Sequence, residues 1–154
     1  MTQYPEQKKS TIQDCDRTLI HVTCAIIEKD GHVLAAQRGP AMETPSKWEF
    51  PGGKIEPHES PEECLRRELL EELDVEIVIL RSLDPTIHSY PAFTIMLYPF
   101  VCAIAKGKIK LNEHAAIKWM PARNLHSLDW AEADLPVLAA YCQLLEKIKS
   151  KGSL

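Results

Sequence analysis

The chain has 154 residues, 45% hydrophobic and 26% charged, with 22 acids against 18 bases and a formal net charge of −4. That length predicts one domain with a closed core, and the apolar fraction excludes low-complexity disorder. The most apolar run, Phe93 to Ala105, is 13 residues with Pro99 inside it, too short to span a bilayer. Net acidity argues against a protein that coats nucleic acid. No apolar segment follows the polar start, so no secretory signal is expected. The five cysteines (Cys15, Cys24, Cys64, Cys102, Cys142) are odd in number and lack a C-x-x-C pair. Reduced thiols in a cytoplasmic protein fit this better than a disulfide framework or a zinc site.

Residues 1–16 are polar and non-periodic and read as a mobile N-terminal arm; residues 17–150 read as the single domain. Thr18–Glu28 is rich in Ile, Val and Thr, Asp30-Gly31 supplies a hairpin turn, and His32–Arg38 returns as a second strand. A breaker-rich loop over 39–47 leads to Trp48-Glu49-Phe50 and then Pro51-Gly52-Gly53, read as a tight turn whose glycines permit positive φ and close backbone approach. Ser60-Pro61-Glu62-Glu63 reads as a helix start, with Ser at the N-cap, Pro at N1 and Glu63 completing a capping box. Leu65, Leu69 and Leu73 give that helix its buried stripe. Strand signals resume at Val75–Leu80, Phe93–Ala105, Ile109–Leu111 and Ala115–Met120. After Pro121 a short helical piece precedes a final helix from about Ala133 to Lys149, with Leu135, Leu138, Ala139, Cys142, Leu145 and Ile148 on one face. The order ββ-α-βββ-α predicts an α/β fold with a mixed sheet packed between helices.

The charge is unevenly placed. Residues 53–76 hold nine acids and three bases, a balance of −6, while the other 130 residues balance at +2. An acidic run is ordinarily a solvated face. Here Glu68, Glu71 and Glu72 stand at i, i+3 and i+4, so three carboxylates share a helix face. The leucines hold the opposite side and no base is expected among the acids. Hard divalent cations want several carboxylate oxygens converging from a rigid element. Arg67 and Glu59 read as an ion pair tying the preceding loop to the helix.

From Gly53 to Val75 the spacing is G-x5-E-x7-R-E-L-x-E-E-x-D-V. This resembles the Nudix box, G-x5-E-x7-R-E-U-x-E-E-x-G-U with U aliphatic, at every fixed position but one. The late glycine is Asp74 here, a residue that tolerates a left-handed helix C-terminus. Trp48 to Glu56 resembles the MutT branch of that family. Asn112-Glu113-His114, Trp119 and Ala133-Asp134-Leu135-Pro136 resemble the branch's bacterial CTP pyrophosphohydrolases.

The resemblance implies an α/β/α sandwich around a mixed sheet and Mg²⁺-dependent hydrolysis of a nucleoside triphosphate to monophosphate and pyrophosphate, with Mn²⁺ as a possible substitute. It implies that Glu68, Glu71, Glu72 and Glu113 are catalytic and hold the metal, with the Gly52 carbonyl as a further ligand. One acid orients or deprotonates the water: Glu68 is preferred, with Glu71 and Glu113 as alternatives. Gly53, Glu59 and Arg67 are structural. Substrate contacts fall to Arg38, Glu49, Phe50, Pro51, Gly52, Lys54, Trp130 and Asp134, with Arg38 gripping phosphate and Trp48, Phe50 and Trp130 as stacking candidates that also suit a core. An ionised Asp134 accepts from guanine N1–H and N2–H₂; a protonated one pairs with cytosine N3 and N4–H₂. Both bases stay open. The leading substrate is a modified purine such as 8-oxo-dGTP, with CTP, dCTP or 5-methyl-dCTP as the rival and a non-catalytic nucleotide sensor as the reading of another class. The six histidines, His114 among them, form no ligand spacing and are assigned to strand, loop or surface roles.

Overall fold

Residues 18–152 are described in this computed structural model; the expected N-terminal arm lies outside them. β1 (Thr18–Lys29) turns through Asp30 and Gly31, both at positive φ, into β2 (His32–Gln37). The β-branched run of β1 alternates cleanly. Cys24 and Ile26 enter one core while Ala25 and Ile27 enter another, and in β2 Val33 and Ala35 separate likewise from Leu34. A sheet buried on both faces must be covered on both faces.

β7 (Phe93–Lys106) runs parallel to β1 from Thr18 opposite Phe93 to Ile27 opposite Cys102. β5 (Glu76–Ser82) and β6 (Thr86–Ser89) pair antiparallel with β7. β4 (Gly52–Lys54) pairs antiparallel with β1, and β3 (Trp48–Glu49) and β8 (Ala116–Pro121) flank β2. α1 (Pro61–Leu73) covers one face through Leu65, Leu69 and Leu73, packed with Val75, Ile77, Phe100 and Cys102. α2 (Leu135–Gly152) covers the other through Val137, Leu138 and Tyr141, packed with Trp48, Phe50, Leu125 and Trp130. The expected α/β/α sandwich with a central mixed sheet is therefore the observed fold. Among the described residues no helix is long and apolar enough to cross a membrane, and the four described cysteines are unpaired.

Four expectations need correction. Ile109–Leu111 is not a strand: Lys110 N–H donates to Leu73 O (2.9 Å) and Asn112 N–H to Glu72 O (3.1 Å), so the segment satisfies the last carbonyls of α1 instead of extending the sheet. The stripe on α2 is rotated. Leu135 and Ile148 are about half exposed, at 48% and 47%, while Leu138 is buried as expected and Val137 and Tyr141 join it. Both sets have helical spacing, and packing selected the one with the larger ring. Gly52 and Gly53 are not at positive φ; that conformation falls to Gly31 and Gly107. The strand β6 was missed because Thr86–Ser89 is short and half polar. The N-cap of α1 is Ser60, whose side chain accepts from Glu63 N–H (3.1 Å), and Asp74 takes the left-handed position at φ 59.

Candidate metal and substrate site

The site begins with two glycines that let chains approach. Gly52 pairs with Cys24, and a Cβ there would lie 1.9 Å from the Thr23 carbonyl oxygen. At Gly53 a Cβ would lie 2.2 Å from the Glu68 carboxyl carbon. Glycine thus seats an acid of α1 directly on the backbone of β4.

Arg67 organises the N-terminal half of the helix. Its fork donates to both oxygens of Glu59, Nε to Oε2 at 2.7 Å and Nη2 to Oε1 at 2.9 Å. Nη1 donates to Glu68 Oε1 at 2.9 Å and reaches Glu71 Oε2 at 3.4 Å, and Nη2 reaches the Lys54 carbonyl at 3.3 Å. The expectation that no base relieves these acids is corrected: Arg67, one residue from Glu68, curls into their midst. The Arg67 hydrogen bonds hold the Glu59 carboxyl down at about 2, and those acids push the guanidinium above its ordinary range.

The three box acids do not share one environment. The Glu71 side chain is 56% exposed, Glu68 17% and Glu72 4%. Glu72 sits at the margin of the leucine stripe rather than opposite it, grouped with Cys64, Leu65, Leu69 and Leu73 among the buried residues of α1. Burial first, then the charges of Glu49 and Glu68, push its carboxyl far above the usual range. One of its oxygens, Oε2, is buried with no hydrogen-bond partner.

Facing it is His114, buried, with Nδ1 3.8 Å from that oxygen and likewise without a partner. Its other nitrogen, Nε2, is 2.8 Å from Glu49 Oε2. Glu49 in turn is ion-paired with Arg38. Among the described residues, Glu49, Glu72 and His114 bring ligand atoms within 4.8 Å of one another. A divalent cation fits here, because buried acceptors without donors are what such an ion satisfies.

His114 is the residue that sequence reasoning missed. A lone histidine 65 positions from its partner leaves no spacing to find; the only available signal was its place beside Glu113. The loop carrying both is pinned. Asn112 Nδ2 donates to Glu71 O (2.8 Å), Ala115 N–H to Gln37 O (2.9 Å), and a Cβ on Gly39 would lie 2.5 Å from Glu113 O. Glu113 itself is exposed, and its charge is felt at Glu72.

Most of the remaining expected substrate contacts are linked to one another, with Lys54 exposed apart from them. Arg38 donates to Glu49 and, through Nε, to the Glu43 carbonyl. Lys54 is exposed and Pro51 buried, its carbonyl accepting from Ala25 N–H at 2.8 Å. Phe50 and Trp130 are packed on each other with ring centroids 4.6 Å apart, and with Trp48 they belong to the core beneath α2. Trp130 Nε1 donates to Leu125 O at 2.7 Å. Asp134 is buried and accepts from Phe50 N–H at 3.2 Å. Burial, then the charge of Glu49, raises its carboxyl well above the ordinary range. Cys64 on α1 and Cys102 beneath it are thiols raised by burial to about 11 and about 12, so they pack rather than react.

Residues 17–141 match the NUDIX domain family. The CTP pyrophosphohydrolase of Escherichia coli K12 is 35% identical over 126 residues, covering 82% of this chain and 93% of that protein. An 8-oxo-dGTP diphosphatase of Proteus vulgaris is 35% identical over 99 residues, covering 64% of this chain and 87% of that protein. Among solved structures, the solution structure of the E. coli ORF135 protein superposes with a TM-score of 0.73 at 33% identity, covering 84% of this chain and 93% of that one. With the box from Gly53 to Val75 intact except for Asp74, and the sandwich built around it, the chain belongs to the Nudix family.

Proposed function

We propose that the protein is a divalent-metal-dependent nucleoside triphosphate pyrophosphohydrolase that uses Mg²⁺ and releases a nucleoside monophosphate and pyrophosphate. The observation that supports this is the grouping of Glu68, Glu71 and Glu72 on α1, the first two meeting at Arg67 and the third beside Glu68 with an unpartnered oxygen. Glu68, Glu71, Glu72 and Glu113 would hold the metal, with the Gly52 carbonyl as an added ligand. The bound cation lowers the pKa of water and offsets the triphosphate's charge. Glu68, held between Arg67 and Gly53, orients the attacking water at the β-phosphorus, and the bond to the α-phosphate oxygen breaks. Arg67 and Glu59 fix that acid without touching substrate.

For the base, burial of Asp134 favours the neutral carboxyl, which offers one donor and one acceptor and suits cytosine N3 and N4–H₂. The relative named for CTP supports the same choice. Hydrolysis of 8-oxo-dGTP is the second reading, supported by the relative named for that substrate. The deciding experiment is a panel of CTP, dCTP, 5-methyl-dCTP and 8-oxo-dGTP with Mg²⁺, assayed for pyrophosphate. Asp134→Asn keeps a donor and an acceptor at every pH. Cytosine turnover should survive it, and any pH dependence that ionisation of the wild-type carboxyl imposes should disappear. Guanine recognition by a carboxylate should collapse in the same variant. Release of orthophosphate alone, or no turnover, would sink the mechanism.

A further inference from the structure

We propose that His114 Nδ1 is a ligand to the cation held by Glu72, giving the site one imidazole nitrogen among its carboxylates and a preference for Mn²⁺ and later first-row divalent ions over Mg²⁺. This rests on the metal reading of Glu72 above. Three observations carry it.

The first is the tautomer. Glu49 is ion-paired with Arg38, and a carboxylate so held can only accept. The 2.8 Å contact engages His114 Nε2, and with Nε2–H as donor a neutral imidazole presents its Nδ1 lone pair to Glu72. A carboxylate that fixes the far nitrogen of an imidazole is the arrangement that prepares a histidine for a metal.

The second is what that lone pair faces. Nδ1 points toward Glu72 Oε2 across 3.8 Å, both atoms are buried, and neither has a partner. That gap is too long for a hydrogen bond, and it lies within the reach of two metal–ligand bonds of about 2.1 Å each. Two unpartnered polar atoms buried face to face leave a desolvation cost that a shared cation removes.

The third is rigidity. The His114 side chain is fully buried, and its loop is tied to the end of α1 and to β2 through Asn112 and Ala115. A ligand nitrogen held this way selects by chemistry: imidazole suits Mn²⁺, Co²⁺ and Zn²⁺, whereas Mg²⁺ favours oxygen.

The test is pulsed EPR on the full chain loaded with Mn²⁺, without substrate. Coupling to an imidazole ¹⁴N is expected, converting to ¹⁵N when the histidines are isotopically labelled and vanishing in His114→Gln while Mn²⁺ remains bound. In the same variant, competition by Mg²⁺ for bound Mn²⁺ should strengthen by roughly tenfold. Bound Mn²⁺ without nitrogen coupling overturns this inference and leaves the hydrolase reading standing, as does coupling that persists in His114→Gln. Failure to bind Mn²⁺ or Mg²⁺ at all overturns both. His114→Asn serves if the glutamine variant fails to fold, and the wild-type spectrum alone can refute the proposal.

Discussion

At the start of α1, Glu59 receives two hydrogen bonds from the Arg67 fork; at its far end, Glu72 lies among Glu49, Glu68 and Glu113 with one oxygen unmet. These acids are 13 residues apart in one Nudix box. The first is held in its charged form by the protein's own cation. The second is buried where charge is penalised, and among the described residues no donor meets its Oε2. The difference separates scaffold from site: where the protein supplies a counter-charge the acid is structural, and where it leaves the position open the counter-charge comes from outside.

Swapping the open acid for a neutral one should have the largest effect. Glu72→Gln removes the carboxyl that would hold the ion and adds N–H donors opposite His114 Nδ1. Turnover should fall by more than about 100-fold, beyond the loss of an outer hydrogen bond. Near-normal kinetics would show that the buried end is not the site. Arg67→Met strikes the satisfied end and should lower Tm by several degrees, from the loss of about 2 kcal/mol in charged hydrogen bonds, with turnover falling as Glu68 loosens. Unchanged stability would erase the contrast.

Acid titration is subtler. The Glu59 carboxyl is lowered from 4.5 to about 2. Its contribution is thus fully present above the unfolded value and is lost as pH falls from about 4.5 through about 2. Urea melts of Glu59→Gln should lack that segment of the acid limb; a wild-type-like limb would assign it to other groups. Asp74→Gly, which restores the family glycine at φ 59, should stabilise by only about 0.5–1 kcal/mol. A loss of stability there would mean that the aspartate side chain has a partner.

Much of this was legible in sequence where a local signal existed. Ser60, Pro61 and the leucines at every fourth position mark α1 because capping and amphipathic spacing act within a few residues. The alternation in β1 is equally local. Ile109–Leu111 misled because its apolar pattern suits a strand, while its N–H groups are claimed by carbonyls of a helix that ended at Leu73. The sharing of Arg67 among Glu59, Glu68 and Glu71 could not be read from spacing alone, since it depends on one side chain folding back. His114 was invisible for a different reason: its meaning lies in Glu49 and Glu72, which only the tertiary fold brings to it.

The latch between 110–112 and the end of α1 also sets how the site opens. Amides of Lys110 and Asn112 are protected by carbonyls of Leu73 and Glu72, so they are released when that last turn frays. Hydrogen exchange at these two positions should therefore run in step with the end of α1, as one cooperative unit rather than as a surface loop. Glu113 and His114 follow directly in the chain, so a single local unfolding event disperses both halves of the constellation together.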